Sequence, residues 1–298
     1  MSSTLQKKHD FVEPILKWPG GKRWLSSLLA DLIRNELENC YYEPFVGGGA
    51  IFLAVNPPKA ILSDINDQLI DFYRTCVKIP NEVVTRARRF SNVEEDYYVA
   101  RSSRPRTPAG KAGRFLYLNR TCWGGIFRLN RQGEFNVPFG DSGRVICCRK
   151  AVCDAANRFK AAEFLCRDFS EAFEEAQAGD VVFADPPYTS RGQFNGFVRY
   201  NENKFSWEDQ VRVSVSARSA RNRGAFVIVC GSFHREVLAL YRNWWAVEIR
   251  RSSLVARDPD ARRKVSECLM ISRKPKLIPA EMNRITDCFI SSIPYYGD

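Results

Sequence analysis

The chain has 298 residues, of which 45% are hydrophobic and 12% are aromatic. This length and composition supply enough apolar side chains for a substantial core, and they exclude an intrinsically disordered protein. No apolar run reaches the roughly 20 residues that span a bilayer, and the first residues lack the apolar stretch of a secretory signal. We therefore expect a cytoplasmic protein that has no membrane partner.

The chain is basic, with 45 Lys and Arg against 34 Asp and Glu and a net charge of +11. The surplus is concentrated in the middle: residues 74–150 contain 16 Lys and Arg but only 6 Asp and Glu. A basic region within an otherwise neutral chain is typical of a surface that binds a polyanion. This pattern favours nucleic acid as a partner over a merely solvated basic face.

The ten cysteines are scattered, and the chain has only two histidines. Structural zinc sites usually take pairs of Cys or His ligands at short spacing, and the sequence contains no Cys-x-x-Cys pair. We expect reduced thiols and no metal site.

The N-terminal part of the chain alternates between helical and strand-like patterns. Apolar residues at helical spacing predict helices over 22–39 and 66–78. Two short apolar runs, 40–46 and 60–63, predict strands, and the first of these leads into the glycines 47–49. Strands and helices at this spacing are typical of a parallel α/β sheet.

Residues 79–150 interrupt this rhythm, because their periodicity is weak. A turn-like stretch at 131–134 lies between β-like runs and predicts a hairpin within an inserted region of mixed structure. The α/β pattern resumes near Glu163 with a strand at 181–184, a capped helix over 206–223, a strand at 225–230, and late, antiparallel strands at 246–250 and 267–271. The sequence thus predicts an α/β domain that a basic insertion divides.

Two features near the N-terminus point to a nucleotide-like ligand. Glycines that directly follow a strand, as Gly47–Gly49 do, let the backbone turn sharply or pass close to a ligand. The next strand ends at Asp64, where a parallel sheet can place a carboxylate that accepts hydrogen bonds from ribose hydroxyls. A cap for the following helix is the alternative role of Asp64.

The most specific motif is Asp185-Pro-Pro-Tyr188, which follows the buried strand at 181–184. Two consecutive prolines end the strand and stiffen the loop beyond it. The Asp185 carboxylate and the Pro186 carbonyl are then two fixed acceptors beside the aromatic plane of Tyr188. This set suits a planar ring with an exocyclic amine, because the two acceptors hold the amine hydrogens while the tyrosine stacks on the ring. A structural turn after a core strand is the alternative.

The motifs together resemble those of the Dam-type DNA adenine-N6 methyltransferases, the alpha-ordered group of the D12 class. The resemblance covers residues 13–273 and rests on six stretches in the family's order: Lys17–Lys22, Glu43–Gly49, Leu118–Arg128, Gly133–Gly140, Arg167–Phe169 and Asp185–Tyr188. Two departures, Pro19 and Gly124, are tolerable replacements. Asp141 and Ser142 follow the hairpin where the family commonly has basic and aromatic residues, which weakens the inference about the outer base pair.

The resemblance implies a Rossmann-like methyltransferase domain interrupted by an inserted basic target-recognition domain with a β-hairpin. Residues 11–75 and 160–275 would form the catalytic domain, which takes S-adenosylmethionine as methyl donor. Residues 76–159 would form the DNA target-recognition domain, and 276–298 a C-terminal tail.

The resemblance also implies roles for individual residues. The catalytic loop would be Asp185, Pro186 and Tyr188. Residues matching the S-adenosylmethionine site are Trp18, Lys22, Phe45, Gly47, Asp64, Asp168, Phe169 and Asp185. Residues matching the DNA contacts are Lys17 and Arg128, which reach guanines in the family, Trp123, which wedges into the base stack, and Pro138 of the hairpin.

These assignments predict an enzyme that transfers a methyl group to N6 of a flipped-out adenine in a short duplex DNA site, with GATC the site that the family suggests. The expected setting is a bacterial cytoplasm, with the protein encoded by a bacterium or a phage. It would act as a monomer or weak dimer, with or without a cognate restriction endonuclease. Methylation of cytosine N4, RNA adenine or a glutamine side chain remains open, as does a non-catalytic DNA-binding protein with a relict cofactor pocket.

Overall fold

A computed structural model describes residues 12–140, 147–189, 205–252 and 264–276. Within this part of the chain, seven strands form one sheet: Tyr41–Glu43 (β1), Ala60–Asp64 (β2), Ala162–Cys166 (β3), Val181–Ala184 (β4), Phe226–Ser232 (β5), Trp245–Ser252 (β6) and Lys264–Ile271 (β7). The order across the sheet is β3-β2-β1-β4-β5-β7-β6. The mixed α/β architecture is consistent with the predicted methyltransferase fold.

Ten α-helices accompany the sheet in the same described ranges: Ser26–Glu36 (α1), Ala50–Val55 (α2), Asp67–Lys78 (α3), Pro80–Ala87 (α4), Glu94–Ser102 (α5), Pro108–Thr121 (α6), Arg149–Phe159 (α7), Phe169–Glu175 (α8), Trp207–Asn222 (α9) and Arg235–Ala239 (α10). Short 3-10 turns lie at Arg23–Leu25 and Trp123–Gly125. The predicted capping box at the start of α9 is confirmed, because Ser206 and Asp209 exchange side-chain and backbone hydrogen bonds.

The sheet is parallel from β3 to β5 and antiparallel at its far edge. β1 pairs in parallel with β2 and with β4, while β7 is antiparallel to both of its neighbours, β5 and β6. The late antiparallel strands are therefore confirmed. The strand order reverses between β1 and β4, and in open α/β sheets ligands bind outside the carboxyl ends of the strands at such a point.

Helices cover both faces of the sheet. Val181 and Phe183 of β4 belong to one hydrophobic cluster, with α1–α3, whereas Val182 and Ala184 belong to a second cluster, with α8 and α9. Alternate residues of a strand point to opposite faces, so a strand covered on both sides is apolar throughout. This explains the continuous apolar run that marks β4 in the sequence.

The region between β2 and β3 is richer in helix than its weak periodicity indicates. Helices α4, α5 and α6 pack together, and their buried residues are continuous with the core beneath the sheet. The predicted hairpin is held by isolated bridges, Cys122 to Phe139 and Leu129 to Phe135, rather than by long strands. Asp141, Ser142 and all of the predicted tail except Lys276 lie outside the described residues.

None of the described helices combines the length and the apolar composition that crossing a bilayer requires.

Candidate active site

Most of the residues predicted to bind the cofactor follow the carboxyl ends of the parallel strands. Phe45 and Gly47 come after β1, Asp64 ends β2, and Asp185 comes directly after β4. Since these strands are parallel neighbours, their carboxyl ends meet at the same edge of the sheet. The structure thus brings together residues that are up to 140 positions apart in the sequence.

The turn after β1 is built around Gly47. Its φ of +46° favours glycine, its N–H donates to Asp64 Oδ2 at 3.3 Å, and its carbonyl accepts from the Tyr73 hydroxyl at 2.8 Å. A Cβ atom at this position would lie 2.7 Å from the Trp18 indole, so the ring packs directly on the backbone. Trp18, Gly47 and Asp64 therefore form one cluster.

Asp64 braces this turn, and Asn66 caps the helix that follows. The Asn66 side chain accepts from the backbone N–H of Leu69, which is the capping bond of α3. Asp64 Oδ1 accepts from the Asn66 N–H at 3.0 Å. Burial raises the pKa of Asp64 to about 6, against the effect of these backbone donors.

The segment Lys17–Lys22 is attached to helix α6 and to the hairpin. The Asn119 side chain accepts from the Lys17 N–H at 2.9 Å and donates to the Lys17 carbonyl at 2.7 Å. The Lys17 ammonium donates to the Arg120 carbonyl at 2.9 Å. The indole of Trp18 stacks on Phe127 with 6.2 Å between ring centroids. One short segment thus contacts both the glycine turn and the predicted recognition region.

An aromatic cluster joins the loop after β1 to the start of helix α8, which follows β3. Phe45 stacks on Phe169 at 5.3 Å between centroids, and the Arg212 guanidinium lies 4.7 Å from the Phe169 ring. Arg212 also pairs with Asp168 at 2.8 Å. Burial works to raise the pKa of Asp168, but hydrogen bonds from Ser170 and Arg212 outweigh it and the pKa is lowered. Asp168 therefore stays ionised and begins helix α8.

The loop after β4 forms a charged cluster with Lys22. The Lys22 Nζ atom lies 2.8 Å from each Asp185 carboxylate oxygen and 3.5 Å from Oε2 of Glu267, a residue of β7. The Tyr188 hydroxyl donates to the same Glu267 oxygen at 2.9 Å, and the Lys22 ammonium lies 4.9 Å from the Tyr188 ring. One buried ammonium thus faces two carboxylates.

Burial opposes the charges of Lys22 and Asp185, and the ion pair between the two residues favours those charges. For Lys22, the attraction of Asp185 and Glu267 outweighs burial, so its pKa is raised and it stays protonated. Burial raises the pKa of Asp185, and the ammonium of Lys22 opposes that shift. Burial holds the pKa of Tyr188 far above its usual range, so its hydroxyl stays a donor.

The predicted DNA contacts lie on and beside the hairpin. Trp123 is 51% exposed, and its backbone N–H donates to the Pro138 carbonyl at 3.0 Å. The Arg128 guanidinium donates from Nε to Asn136 Oδ1 at 2.7 Å and from Nη2 to the Asn136 carbonyl at 3.2 Å. These bonds fix the orientation of the Arg128 side chain across the hairpin.

A metal site is not evident in the part of the chain that the structure covers. There, no three His, Cys, Asp or Glu side chains come together in a way that could hold a metal ion.

Comparison with known proteins identifies the family. A family model described as D12 class N6 adenine-specific DNA methyltransferase matches residues 18–253. The chain belongs to this family. It is 31% identical to the Type II methyltransferase M1.LlaDCHI of Lactococcus lactis subsp. cremoris, over 89% of this chain and 97% of that protein. It is 33% identical to the DNA adenine methylase of Escherichia coli strain K12, again over 89% and 97%.

A phage protein is similar as well. The DNA N-6-adenine-methyltransferase of Escherichia phage P1 is 34% identical over 78% of this chain and 32% of the phage protein. Together with the family model, these relatives establish the activity of the present methyltransferase as the N6 methylation of adenine in DNA.

Three buried polar residues of the methyltransferase were missed in the sequence. Glu267 was seen only as part of a late strand, and Asn119 only as part of a recognition motif. Glu43, at the end of β1, accepts from the Tyr41 hydroxyl at 2.8 Å, and burial raises its pKa to about 8. A charged residue inside an apolar strand pattern is the signal that could have indicated Glu43 and Glu267.

Replacement of Gly47 by alanine tests how tightly Trp18 packs on the turn. We expect Gly47→Ala to lower the free energy of unfolding by about 2–4 kcal/mol, because the positive φ and the crowding against Trp18 add up. Gly133→Ala is the matched control: its φ is +74°, but nothing lies within 4 Å of its Cβ position. The control should lose only about 1–2 kcal/mol. Equal losses in urea titrations would contradict the crowding.

Proposed function

We propose that the methyltransferase takes its methyl group from S-adenosylmethionine and delivers it to N6 of an adenine flipped out of duplex DNA. The observation that carries this proposal is the position of Asp185. It follows β4 at the reversal of strand order, next to the turn of β1 on which Trp18, Gly47 and Asp64 converge. The proposed site for the methyl donor is therefore next to the loop that would hold the target adenine.

The residues present fit S-adenosylmethionine. The Asp64 carboxylate suits ribose hydroxyls, and the Gly47 turn lets a ligand approach the backbone. Ile65, which directly follows Asp64, is 72% exposed and offers an apolar surface for the adenine ring of S-adenosylmethionine. Trp18, Lys22, Phe45, Asp168 and Phe169 would complete the site. When bound, S-adenosylmethionine supplies a sulfonium methyl group that is already activated, so the reaction needs no metal.

The loop after β4 would hold the target base. The N6 lone pair of adenine is delocalised into the ring, which makes the amine a weak nucleophile. The Asp185 carboxylate and the Pro186 carbonyl accept its two hydrogens and favour a pyramidal nitrogen with a localised lone pair, while Tyr188 stacks on the ring. Asp185 then takes the proton that the nitrogen loses as it becomes cationic. Fixed positions for the base provide much of the remaining acceleration.

Adenine within a duplex cannot reach this loop, so the base must leave the helix at a cost of a few kcal/mol. The exposed ring of Trp123 would fill the gap in the stack. We propose residues 76–159 as the DNA target-recognition domain, with Lys17 and Arg128 reading guanines and Pro138 in contact beside them. Residues 11–75 and 160–275 would form the catalytic domain, and the basic surplus of the middle region would hold phosphates.

Arg128 provides the sharpest test of sequence readout. We expect Arg128→Ala to lose about 1–3 kcal/mol of discrimination at a single base pair, because a bidentate contact to guanine is removed. The measurement is the methylation rate on duplexes in which each base pair of the site is changed in turn. Arg131→Ala removes the same charge from the turn of the hairpin and should weaken binding evenly. If Arg128→Ala also lowered the methylation rate equally on all of these duplexes, the assignment of Arg128 to a guanine contact would be wrong.

The target sequence is best measured by single-molecule sequencing of DNA from a methylation-free bacterial host that expresses the chain. We propose GATC as the site, and N6-methyladenine in GATC would support the roles of Lys17 and Arg128. N6-methyladenine in a different motif would refute these roles of Lys17 and Arg128 and would still support a DNA adenine methyltransferase. N4-methylcytosine, or no modified base from folded protein, would contradict the proposed substrate.

We further propose that the protein works in a bacterial cytoplasm, on its own or beside a restriction endonuclease, and as a monomer or weak dimer. Its relatives include bacterial and phage DNA methylases.

A further inference from the structure

Glu267 is a buried carboxylate of the site that none of the recognised motifs contains. It belongs to β7, opposite Ser232 of β5, and the residue is only 3% exposed. Its carboxylate reaches the loop after β4 from the antiparallel part of the sheet. A buried carboxylate requires partners that compensate its lost hydration.

Its first partner is the Tyr188 hydroxyl. The distance from Tyr188 Oη to Glu267 Oε2 is 2.9 Å, whereas the distance to Asp185 Oδ1 is 3.4 Å. A phenol has one proton to donate, so the shorter contact takes it. Glu267 thus anchors the hydroxyl end of the Tyr188 side chain and keeps the hydroxyl proton away from Asp185.

Its second partner is the Lys22 ammonium, at 3.5 Å. Lys22 has three protons, and it also lies 2.8 Å from both Asp185 oxygens and 2.8 Å from the Gly20 carbonyl. A second carboxylate beside the ammonium allows Lys22 to remain charge-paired when a substrate amine competes for Asp185.

We infer that Glu267 is a positioning residue for methyl transfer, which anchors the Tyr188 side chain and keeps its hydroxyl proton off the Asp185 oxygens. This inference rests on the proposed roles of Asp185 and Tyr188. Glu267 acts through Tyr188 and Lys22 and does not touch the substrate. Its removal therefore slows the transfer step and leaves the binding of both substrates intact.

The test compares Glu267→Leu with Glu36→Leu, because leucine is of similar size and has no acceptor for the Tyr188 hydroxyl. Glu36 is the matched control, because it is a buried carboxylate paired with Arg273 at 2.6 Å, in helix α1. In single-turnover reactions with duplex DNA and S-adenosylmethionine, Glu267→Leu should slow transfer by about 10- to 100-fold, as expected for a misplaced reacting group. The KM values for both substrates should stay within about threefold. Glu36→Leu should lower the thermal midpoint and leave the rate of the folded enzyme unchanged.

A double-mutant cycle with Tyr188→Phe separates a positioning role from a structural one. If Glu267 acts through the hydroxyl, the double variant should transfer about as slowly as the slower single variant. If the losses of the two single variants multiply, if Glu267→Leu transfers at the wild-type rate, or if its loss is confined to KM, the inference is overturned. Should Glu267→Leu fail to fold, Tyr188→Phe alone decides: a slower transfer supports the inference and a wild-type rate overturns it. Wild-type protein that methylates no DNA would instead refute the proposed function.

Discussion

Replacing Asp185 by alanine should reduce methyl transfer by about a thousandfold or more and leave the fold intact. Loss of one preorganised electrostatic partner typically slows a reaction by about 10²–10³-fold, and here the proposed acceptor of the amine proton disappears as well. The fold should survive because Glu267 remains 3.5 Å from the Lys22 ammonium and keeps it paired. Methylation assays and circular dichroism of the same preparation measure the two effects.

The matched control for this experiment is Asp154→Ala. Asp154 is a carboxylate of helix α7 that pairs with Lys150 on the surface at 2.6 Å. Its replacement removes the same charge far from the predicted chemistry, so the methylation rate should stay at the wild-type level. Near-normal turnover of Asp185→Ala would refute a catalytic role for this aspartate.

Replacing Lys22 by methionine should destabilise the protein by about 3–5 kcal/mol at neutral pH. The side chain of Lys22 is 3% exposed and faces two buried carboxylates, Asp185 and Glu267. Removal of one partner from a buried ion pair leaves uncompensated charge, which is far more costly than the loss of a surface pair. Urea titration of Lys22→Met against Lys59→Met, an exposed lysine before β2, measures the effect.

The stability that Lys22→Met loses should depend on pH, and the direction of this dependence can be predicted. The Lys22 ammonium opposes the raised pKa of Asp185, so its removal raises that pKa further. A carboxyl group whose pKa is higher in the folded than in the unfolded state destabilises the fold while it is ionised. The deficit of Lys22→Met is therefore largest above the raised pKa and shrinks as the pH falls through it. A deficit that is the same at pH 8 and at pH 5 would contradict this account.

The sequence predicted the parallel part of the sheet well, because its signals are local. Val181–Ala184 forms a strand as predicted, and the capping box at Ser206 marks the start of α9. A strand buried on both faces is apolar throughout, and a cap lies within three residues of its partner. The Asp185 motif could therefore be placed at the end of a strand without any structure.

The insertion was harder to predict because its longest helix, α6, is buried on several sides. Helix α6 buries nine of its fourteen residues, among them Phe115, Leu116, Tyr117 and Leu118 in succession. A helix that is covered almost all round lacks the single apolar stripe by which amphipathic helices are recognised. Its weak periodicity therefore predicted mixed structure where the protein forms three packed helices.

The predicted site lacked two residues for a different reason. The residues that they contact lie far away from them in the sequence. Asn119 forms hydrogen bonds with the backbone of Lys17, which precedes it by 102 residues, and Glu267 accepts a hydrogen bond from Tyr188, which precedes it by 79 residues. Asn119 is not unusual where it stands in the sequence, and the charge of Glu267 in an apolar strand does not reveal which residue it contacts. Such contacts follow from the strand order and from the packing of α6, which local patterns do not encode.

The position of β7 in the sheet has a consequence for how the enzyme folds during its synthesis on the ribosome. Among the described strands β7 comes last in the chain, yet it inserts between β5 and β6. A nascent chain folds from its N-terminus, so β5 waits as an open edge, prone to wrong pairing, until residues 264–271 emerge. Only then does Tyr188 gain the carboxylate that holds its hydroxyl. If Glu267 positions Tyr188 as inferred, methyl transfer depends on a strand that is synthesised after the other described strands of the sheet.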